Sequence, residues 1–345
     1  MGWAVAALGA ALLVVAAQWQ SVLALVVGLV LTGAGSASQL QARFAATDLA
    51  EPAGRGRALA TVVWVGSLGS VLGPNLGAPG AWLADRLGLA PLGGAFVLAA
   101  AAMALGALAV WVLLRPDPLL VATGRLELSH RGPVAPSGPA PGPALPRRRF
   151  AAVRAAAPLL RDDRAVRTAF TAVITAQVVM VAIMTMTPVH LAAHGGSLTV
   201  VGLTISLHIL GMYGLAPVAG ALADRAGAVA GILTGGALFS ASFVVAVLAA
   251  DSTTAVVVSL VLLGLGWSFM GVAGSTWLGA SVPVEQRAAV QGLTDTGSNT
   301  AAALGALLSG PLMAVVGFGG LSVAAAVCLV PLGVVLLCGR GAQQG

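Results

Sequence analysis

Ten stretches of apolar residues follow one another along the chain, at roughly 2–17, 22–42, 58–82, 92–114, 167–189, 199–221, 228–249, 254–278, 288–316 and 319–338. A hydrocarbon layer about 30 Å thick takes about twenty helical residues to cross. Inside it every backbone N–H and C=O must be satisfied without water, and a helix does this within its own segment. The pattern therefore predicts an all-α polytopic membrane protein with ten transmembrane helices. Composition points the same way. The chain is 58 % hydrophobic and only 8 % charged, against roughly a quarter charged in soluble domains, and disorder needs the opposite balance. Its 46 glycines suit helices whose backbones approach closely in lipid. The first stretch has no basic n-region and another apolar stretch follows at once, so it reads as a span and not a signal peptide.

All 17 positive residues are Arg, with no Lys. With the loops after spans two, four, six and eight placed inside, every Arg except Arg86 is cytoplasmic or at an inner span end. That is the positive-inside bias, and it puts both termini in the cytoplasm. A basic excess in a soluble protein would suggest nucleic acid; here topology accounts for it, and no nucleic-acid partner is expected. Trp3, Trp19, Trp82 and Trp111 fall at span ends, where amphipathic rings favour the interface. Cys328 and Cys338, in or beside one apolar segment, read as free thiols and not a disulfide framework.

The composition breaks between Arg115 and Ala165. "RGPVAPSGPAPGPALPRRRF" is Pro-rich and lacks apolar periodicity, the pattern of a cytoplasmic linker. Arg147, Arg148 and Arg149 suit contact with anionic lipid. The expected organisation is a four-span block at 1–114, the linker at 115–166 and a six-span block at 167–340.

Three motifs carry information beyond topology. "GALADRAG", Gly220 to Gly227, falls in a short loop between two spans. Gly220 and Gly227 would allow a tight turn. Asp224 could face a helix N-terminus, and Arg225 could pair with a carboxylate such as Glu285. The string resembles the G-x-x-x-D-R-x-G loop signature of the major facilitator superfamily, in its second-half copy, where the resemblance implies a conformational latch. A second "LADRLG" at Leu83 to Gly88 has its Gly80 five residues before Asp85, whereas Gly220 lies four before Asp224. Parity also puts Asp85 outside, so this copy reads as coincidence. "GSVLGPNLGAP", Gly69 to Pro79, matches Gly69, Gly73, Pro74 and Gly77 of the superfamily's fifth-helix motif, with Ala78 in place of the last Gly. Small residues at that spacing permit close helix contact and Pro74 bends the helix; the resemblance implies an antiporter-like exporter. With these anchors the ten spans are helices three to twelve of that fold. Helices one and two are then missing, so the chain is a fragment or Met1 is not its natural start.

Sulfur and imidazole groups cluster in one region. Four of eight Met and three of four His lie between Met180 and Met212. Met180 and Met184 share one helix face, and His208 and Met212 repeat the spacing one span later. Thioether and imidazole suit Cu(I) and burden a membrane helix less than carboxylates. The MxxxM followed by HxxxM resembles the CcoA-like copper importers of the same superfamily. It implies copper uptake along a Met/His path, with His190 and His194 collecting the ion at the outer mouth. Packing alone is the competing explanation, since Met fills gaps in apolar cores. Efflux of drugs or metabolites by proton antiport, or import of a flavin or other small organic solute, are the alternative functions.

Asp295, in "GLTDTGSNT", is an intramembrane carboxylate and so a candidate for proton coupling. Its closeness to Arg287 favours an interfacial ion pair or a cap. Arg43 and Asp48 resemble the superfamily's cytoplasmic charge cluster. No paired carboxylates, nucleophile with base, or HExxH string appears in a span, so an enzyme is not expected. The sequence thus predicts a plasma-membrane transporter, functional as a monomer in the lipid bilayer. It needs no cofactor, copper entering only as a possible substrate, and works by alternating access.

Overall fold

The computed structural model describes residues 1–48, 55–115 and 158–337. The chain divides into two compact units, Met1–Ala140 and Pro141–Gly345. The Pro/Arg-rich linker, Cys338 and Arg340 lie outside the described residues, as do the side chains of Arg43, Asp48 and Glu285.

In the first unit, α1 (Gly2–Trp19) and α2 (Val22–Asp48) form a hairpin. Gln20, left-handed at φ 50°, caps α1 by its N–H to Ala16 O. The two helices meet backbone to backbone: a Cβ on Gly9 would lie 2.7 Å from Thr32 N, and one on Gly28 3.1 Å from Gly9 O. Then come α3 (Arg55–Leu72), one 3-10 turn (Gly73–Leu76), α4 (Gly77–Leu87) and α5 (Gly93–Leu113). The sequence suggests one span over 58–82; the structure breaks it at Gly73–Leu76. Pro74 has no N–H to give the preceding turn, and that loss interrupts an α-helix. Beyond the break, Gly88 at φ 65° caps α4, a backbone shape that suits glycine. The α4–α5 contact depends on two further glycines, since a Cβ on Gly94 would collide with Gly80 O.

In the second unit, Asp163 sets the start of α6 (Arg164–Ala193) by accepting from Ala165 N and Val166 N. Ser197 and Ser252 cap α7 (Leu198–Gly214) and α10 (Thr253–Ser281) in the same way, which satisfies N–H groups that the first turn leaves unpaired. Between them, α8 (Ala216–Ala226) follows α7 after a single residue, and α9 (Ala228–Leu248) follows Gly227. The expected span over 199–221 is therefore two helices, with Pro217 in the first turn of the second. The last element, α11 (Val284–Val327), is interrupted at Gly317, φ 70°. A short α12 (Val330–Leu337) ends the described chain.

Packing in this unit centres on α10, which contacts α6, α7, α8 and α9, while α11 packs chiefly on α6. The α9–α10 crossing is close. A Cβ on Gly235 would lie 2.7 Å from Met270 N and 2.8 Å from Gly266 O. One step along the same seam, Ser242 Oγ donates to Ser259 O at 2.7 Å and Ser259 Oγ donates back to Ser242 O at 3.0 Å. Such interhelical bonds each contribute about 0.6 kcal/mol in a membrane protein.

Large apolar side chains also cover the outside. Leu105, Leu108, Leu113, Val244 and Leu248 are all exposed, as expected where the solvent is lipid. Seven stretches among the described residues are long and apolar enough to cross a membrane. One of them, Ala289–Leu336, is 48 residues long and contains the Gly317 break.

Candidate functional site

The Met/His pairs do not form one facing cluster. His208 is fully buried on α7, and its Nδ1–H donates to Leu260 O on α10 at 2.7 Å. A carbonyl only accepts, so Nδ1 carries the proton and, in the neutral ring, Nε2 holds the lone pair. Nε2 is buried, and among the described residues it has no hydrogen-bond partner. Gly264 makes this approach possible: a Cβ there would collide with His208 O and stand 3.2 Å from Met212 N. Three residues on from His208, a Cβ on Gly211 would lie 3.0 Å from Val261 O. The His208 face of α7 is thus turned to α10, and α7 barely touches α6, where Met180 is buried and Met184 half-buried. Met186 lies toward α11, its sulfur 3.9 Å from where a Cβ on Gly310 would be. Among the described residues no group of three or more His, Cys, Asp or Glu is placed to hold a metal.

His190 and His194 belong to the structure of the α6 end more than to an open mouth. The helix runs to Ala193, so His190 sits in its last turn. His190 is 8 % exposed, stacks on Phe318 at 4.4 Å and donates from Nε2 to Ala250 O at 2.8 Å. His194 donates from Nδ1 to His190 O at 2.8 Å, and its Nε2 is 3.6 Å from Asp251 Oδ1.

The turn expected at Gly220 and the cap or ion pair expected at Asp295 are corrected. Gly220 does not turn the chain, because α8 continues to Ala226 and Gly227, φ 84°, makes the turn. Asp224 and Arg225 are exposed, and the side chain of Glu285, the expected partner of Arg225, lies outside the described residues. Among the described residues, nothing outside their own helix backbone lies within 4 Å of a Cβ added at Gly69 or Gly73. Asp295 is exposed inside α11 and is neither a cap nor ion-paired among the described residues. Its Oδ1 accepts from Gln291 Nε2 at 3.0 Å, while Arg287 Nε donates to Val282 O at 3.0 Å.

The arrangement that the sequence does not advertise lies at mid-span. Trp267 Nε1–H on α10 donates to Gln177 Oε1 on α6 at 2.9 Å, and the Tyr213 ring on α7 meets the indole edge-on at 5.8 Å. Gln177 is the fourteenth of 30 residues in α6, Trp267 the fifteenth of 29 in α10. Tyr213 is the sixteenth of the 29 from Leu198 to Ala226. Three helices therefore bring polar and aromatic groups to one level, beside the α7–α8 break. There Tyr213 O cannot take the usual helical bond, since Pro217 has no N–H; it accepts the N–H of Leu215 instead. The available signals were a single amide in an apolar run and the chain's one tyrosine.

The two broken spans also match each other. α4 and α8 each have eleven residues, each carries Leu-Ala-Asp-Arg before its end, and each stops at a positive-φ glycine, Gly88 or Gly227. Their buried residues fall at the same fourth and eighth positions, Gly80 and Ala84 in one, Ala219 and Ala223 in the other. A helix of 21 residues follows each. The Leu83–Leu87 and Leu222–Ala226 strings therefore end matching helices, but the glycines that follow differ: Gly88 is left-handed with ψ 32°, Gly227 extended with ψ 157°.

The family model of the Major Facilitator Superfamily matches the chain twice, over residues 1–197 and 168–342. The chain belongs to the major facilitator superfamily. Two relatives from Bacillus subtilis (strain 168) are similar along most of its length. The uncharacterized MFS-type transporter YddS is 36 % identical over 328 residues, which cover 94 % of this chain and 72 % of the relative. The uncharacterized MFS-type transporter YdeG is 35 % identical over 314 residues, covering 91 % and 69 %. This member of the superfamily is a multi-pass transporter of the plasma membrane, moving a small solute across the bilayer, and not an enzyme.

Proposed function

We propose that this transporter carries a small organic solute by alternating access, with the solute held at the mid-membrane level of the second unit. The observation that carries this reading is the matched pair of proline-broken spans, one in each unit. Interrupted spans point to a transport site, because irregular backbone at membrane depth is tolerated where it is buried in protein or lines a cavity. The Gln177–Tyr213–Trp267 group beside the α7–α8 break supplies polar and aromatic contacts at that depth. With both termini in the cytoplasm, ten spans are reached by adding α2, α3 with α4, and the second side of Gly317 to the seven long apolar stretches. The Asp-Arg ends of α4 and α8 would then lie on opposite sides of the membrane and act as latches for opposite states.

The test places single cysteines in the Gly88 and Gly227 turns of a chain lacking Cys328 and Cys338, and labels them from each side. Alternating access predicts that one site gains reactivity as the other loses it when the solute gradient is reversed. Equal labelling at both sites under all gradients would refute the mechanism.

A soft-metal path is the second reading, and one observation favours it. A backbone carbonyl holds the Nδ1–H of His208 and leaves the Nε2 lone pair available, which is how proteins orient metal-binding imidazoles. Copper accumulation in copper-starved cells, compared between the native chain and Met180→Leu/His208→Leu, decides it. Uptake that needs those side chains would make copper the cargo. Equal accumulation by equal amounts of folded protein would leave the two pairs to packing.

A further inference from the structure

We propose that Gln177, Trp267 and Tyr213 form a stacking site for a flat, uncharged heteroaromatic solute that carries a carbonyl acceptor. This rests on the organic-solute reading above and names the class of solute.

The argument begins with the amide. An indole N–H only donates, so the Trp267 bond at 2.9 Å must fall on the oxygen of Gln177 and fixes which way its amide points. The Nε2 side of Gln177 then presents two N–H donors, and among the described residues it has no partner. A solute beside it is selected for an acceptor. The indole, its own donor already used, offers a π-face. Trp267 is half-buried, and Tyr213 stands edge-on to it at an interplanar angle of 69°. Edge-to-face and offset-stacked arrangements are those that aromatic pairs prefer, so an aromatic solute can stack on one ring while meeting the other at its edge. Space beside the ring comes from Gly271, one turn along α10: even an added Cβ there would reach only to 4.0 Å from Trp267 Cε2. No Asp, Glu, Lys or Arg occurs in α6 after Arg167, in α7, or in α10. A charged solute would thus find no counter-ion on these three helices, and burial of an unpaired charge is expensive. Flatness, neutrality and a carbonyl are what the three helices ask for together.

The experiment measures equilibrium binding to the purified full chain in detergent with two probes of the same size, 2-quinolone and naphthalene. The first has the carbonyl and the second does not. Micelle uptake is subtracted with Trp267→Leu protein. Gln177→Leu is expected to lower the ratio of 2-quinolone to naphthalene binding by roughly three- to tenfold, the worth of one neutral hydrogen bond, while naphthalene binding persists. Gly271→Leu, which fills the space beside the indole, should weaken both probes by about tenfold or more, and Trp267→Phe should restore much of what Trp267→Leu loses. A loss of fold would lower both probes in Gln177→Leu alike, so the selective loss is the diagnostic. A ratio of the two probes left unchanged by Gln177→Leu, or binding unaffected by Gly271→Leu, overturns the proposal. Either result leaves the two-sided labelling test of alternating access untouched.

Discussion

Two adjacent glycines on α9 should respond to the same substitution in opposite ways. At Gly235 a new Cβ would stand 2.7 Å from both Met270 N and Met270 Cβ, and 2.8 Å from Gly266 O. Two of these three atoms are backbone, so no rotamer change relieves the clash. Ordinary contact begins near 3.4 Å, so α9 and α10 must part by about 0.7 Å, a gap that forfeits a quarter to a half of each dispersion contact. The same separation stretches the reciprocal Ser242–Ser259 bonds from 2.7 and 3.0 Å to the edge of useful geometry. Overpacking of about 1–3 kcal/mol and two weakened bonds of about 0.6 kcal/mol each give Gly235→Ala a cost of about 2–4 kcal/mol. At Gly236 the added Cβ meets only the flexible Cε of Met270, at 3.8 Å. Gly236→Ala should therefore be neutral, or gain the ~0.5–1 kcal/mol that alanine holds over glycine inside a helix. Thermal midpoints of the two variants in one detergent, read by the fraction of protein that stays monodisperse after heating, provide the check. Ser242→Ala should also cost less in the Gly235→Ala background than alone, because the bond is already loosened. If Gly235→Ala melts with the native chain, the close α9–α10 crossing is not the contact that holds this unit together.

Three further substitutions separate backbone shape from transport. Gly227→Ala should lower the thermal midpoint, since φ 84° with ψ 157° is a glycine region whose strain costs about 1–3 kcal/mol. Gly220→Ala, with no neighbour within 4 Å, should melt like the native chain; equal losses at both would contradict the assignment of the turn to Gly227 alone. Pro217→Ala returns an N–H to the α7–α8 break and should straighten the span. Solute transport, measured against an unchanged thermal midpoint, should fall by tenfold or more, and full transport would remove the break from the mechanism.

How far the sequence speaks depends on whether a feature is written locally or made by helices crossing. The division between the last two apolar stretches was legible, because the Gly-Phe-Gly-Gly string at 317–320 interrupts a hydrophobic run, and Gly317 is where the backbone leaves the helix. The breaks at Gly73–Leu76 and Leu215 had their prolines in view, yet hydropathy stays high across them and the runs read as continuous. His208 stood out as an imidazole in an apolar span. Its partner did not, since Leu260 contributes a carbonyl and a backbone group leaves no mark on sequence. Spacing placed His208 and Met212 on one face of α7 but could not say that the face turns to α10. For Gln177, Tyr213 and Trp267 the difficulty is greater. They are separated by 36 and 54 positions, and only the common depth of three helices brings them together.

The Arg residues beside two interface tryptophans have a consequence of their own. Arg86 lies over the Trp82 ring at 5.1 Å and Arg115 over Trp111 at 4.6 Å, so a guanidinium on an indole flanks each end of α5. The 21 residues of that helix rise about 31 Å at 1.5 Å per residue, close to the ~30 Å of an average hydrocarbon layer. Seated at the two interfaces, the pairs would match α5 to a layer of that thickness. In a thinner membrane α5 has to tilt between its two anchors, and in a thicker one the lipid around it is compressed, at fractions of a kcal/mol per ångström. Acyl-chain length is therefore a setting of this protein, and vesicles made from lipids of graded length offer a way to vary the strain on the α4–α5 hairpin without changing a residue.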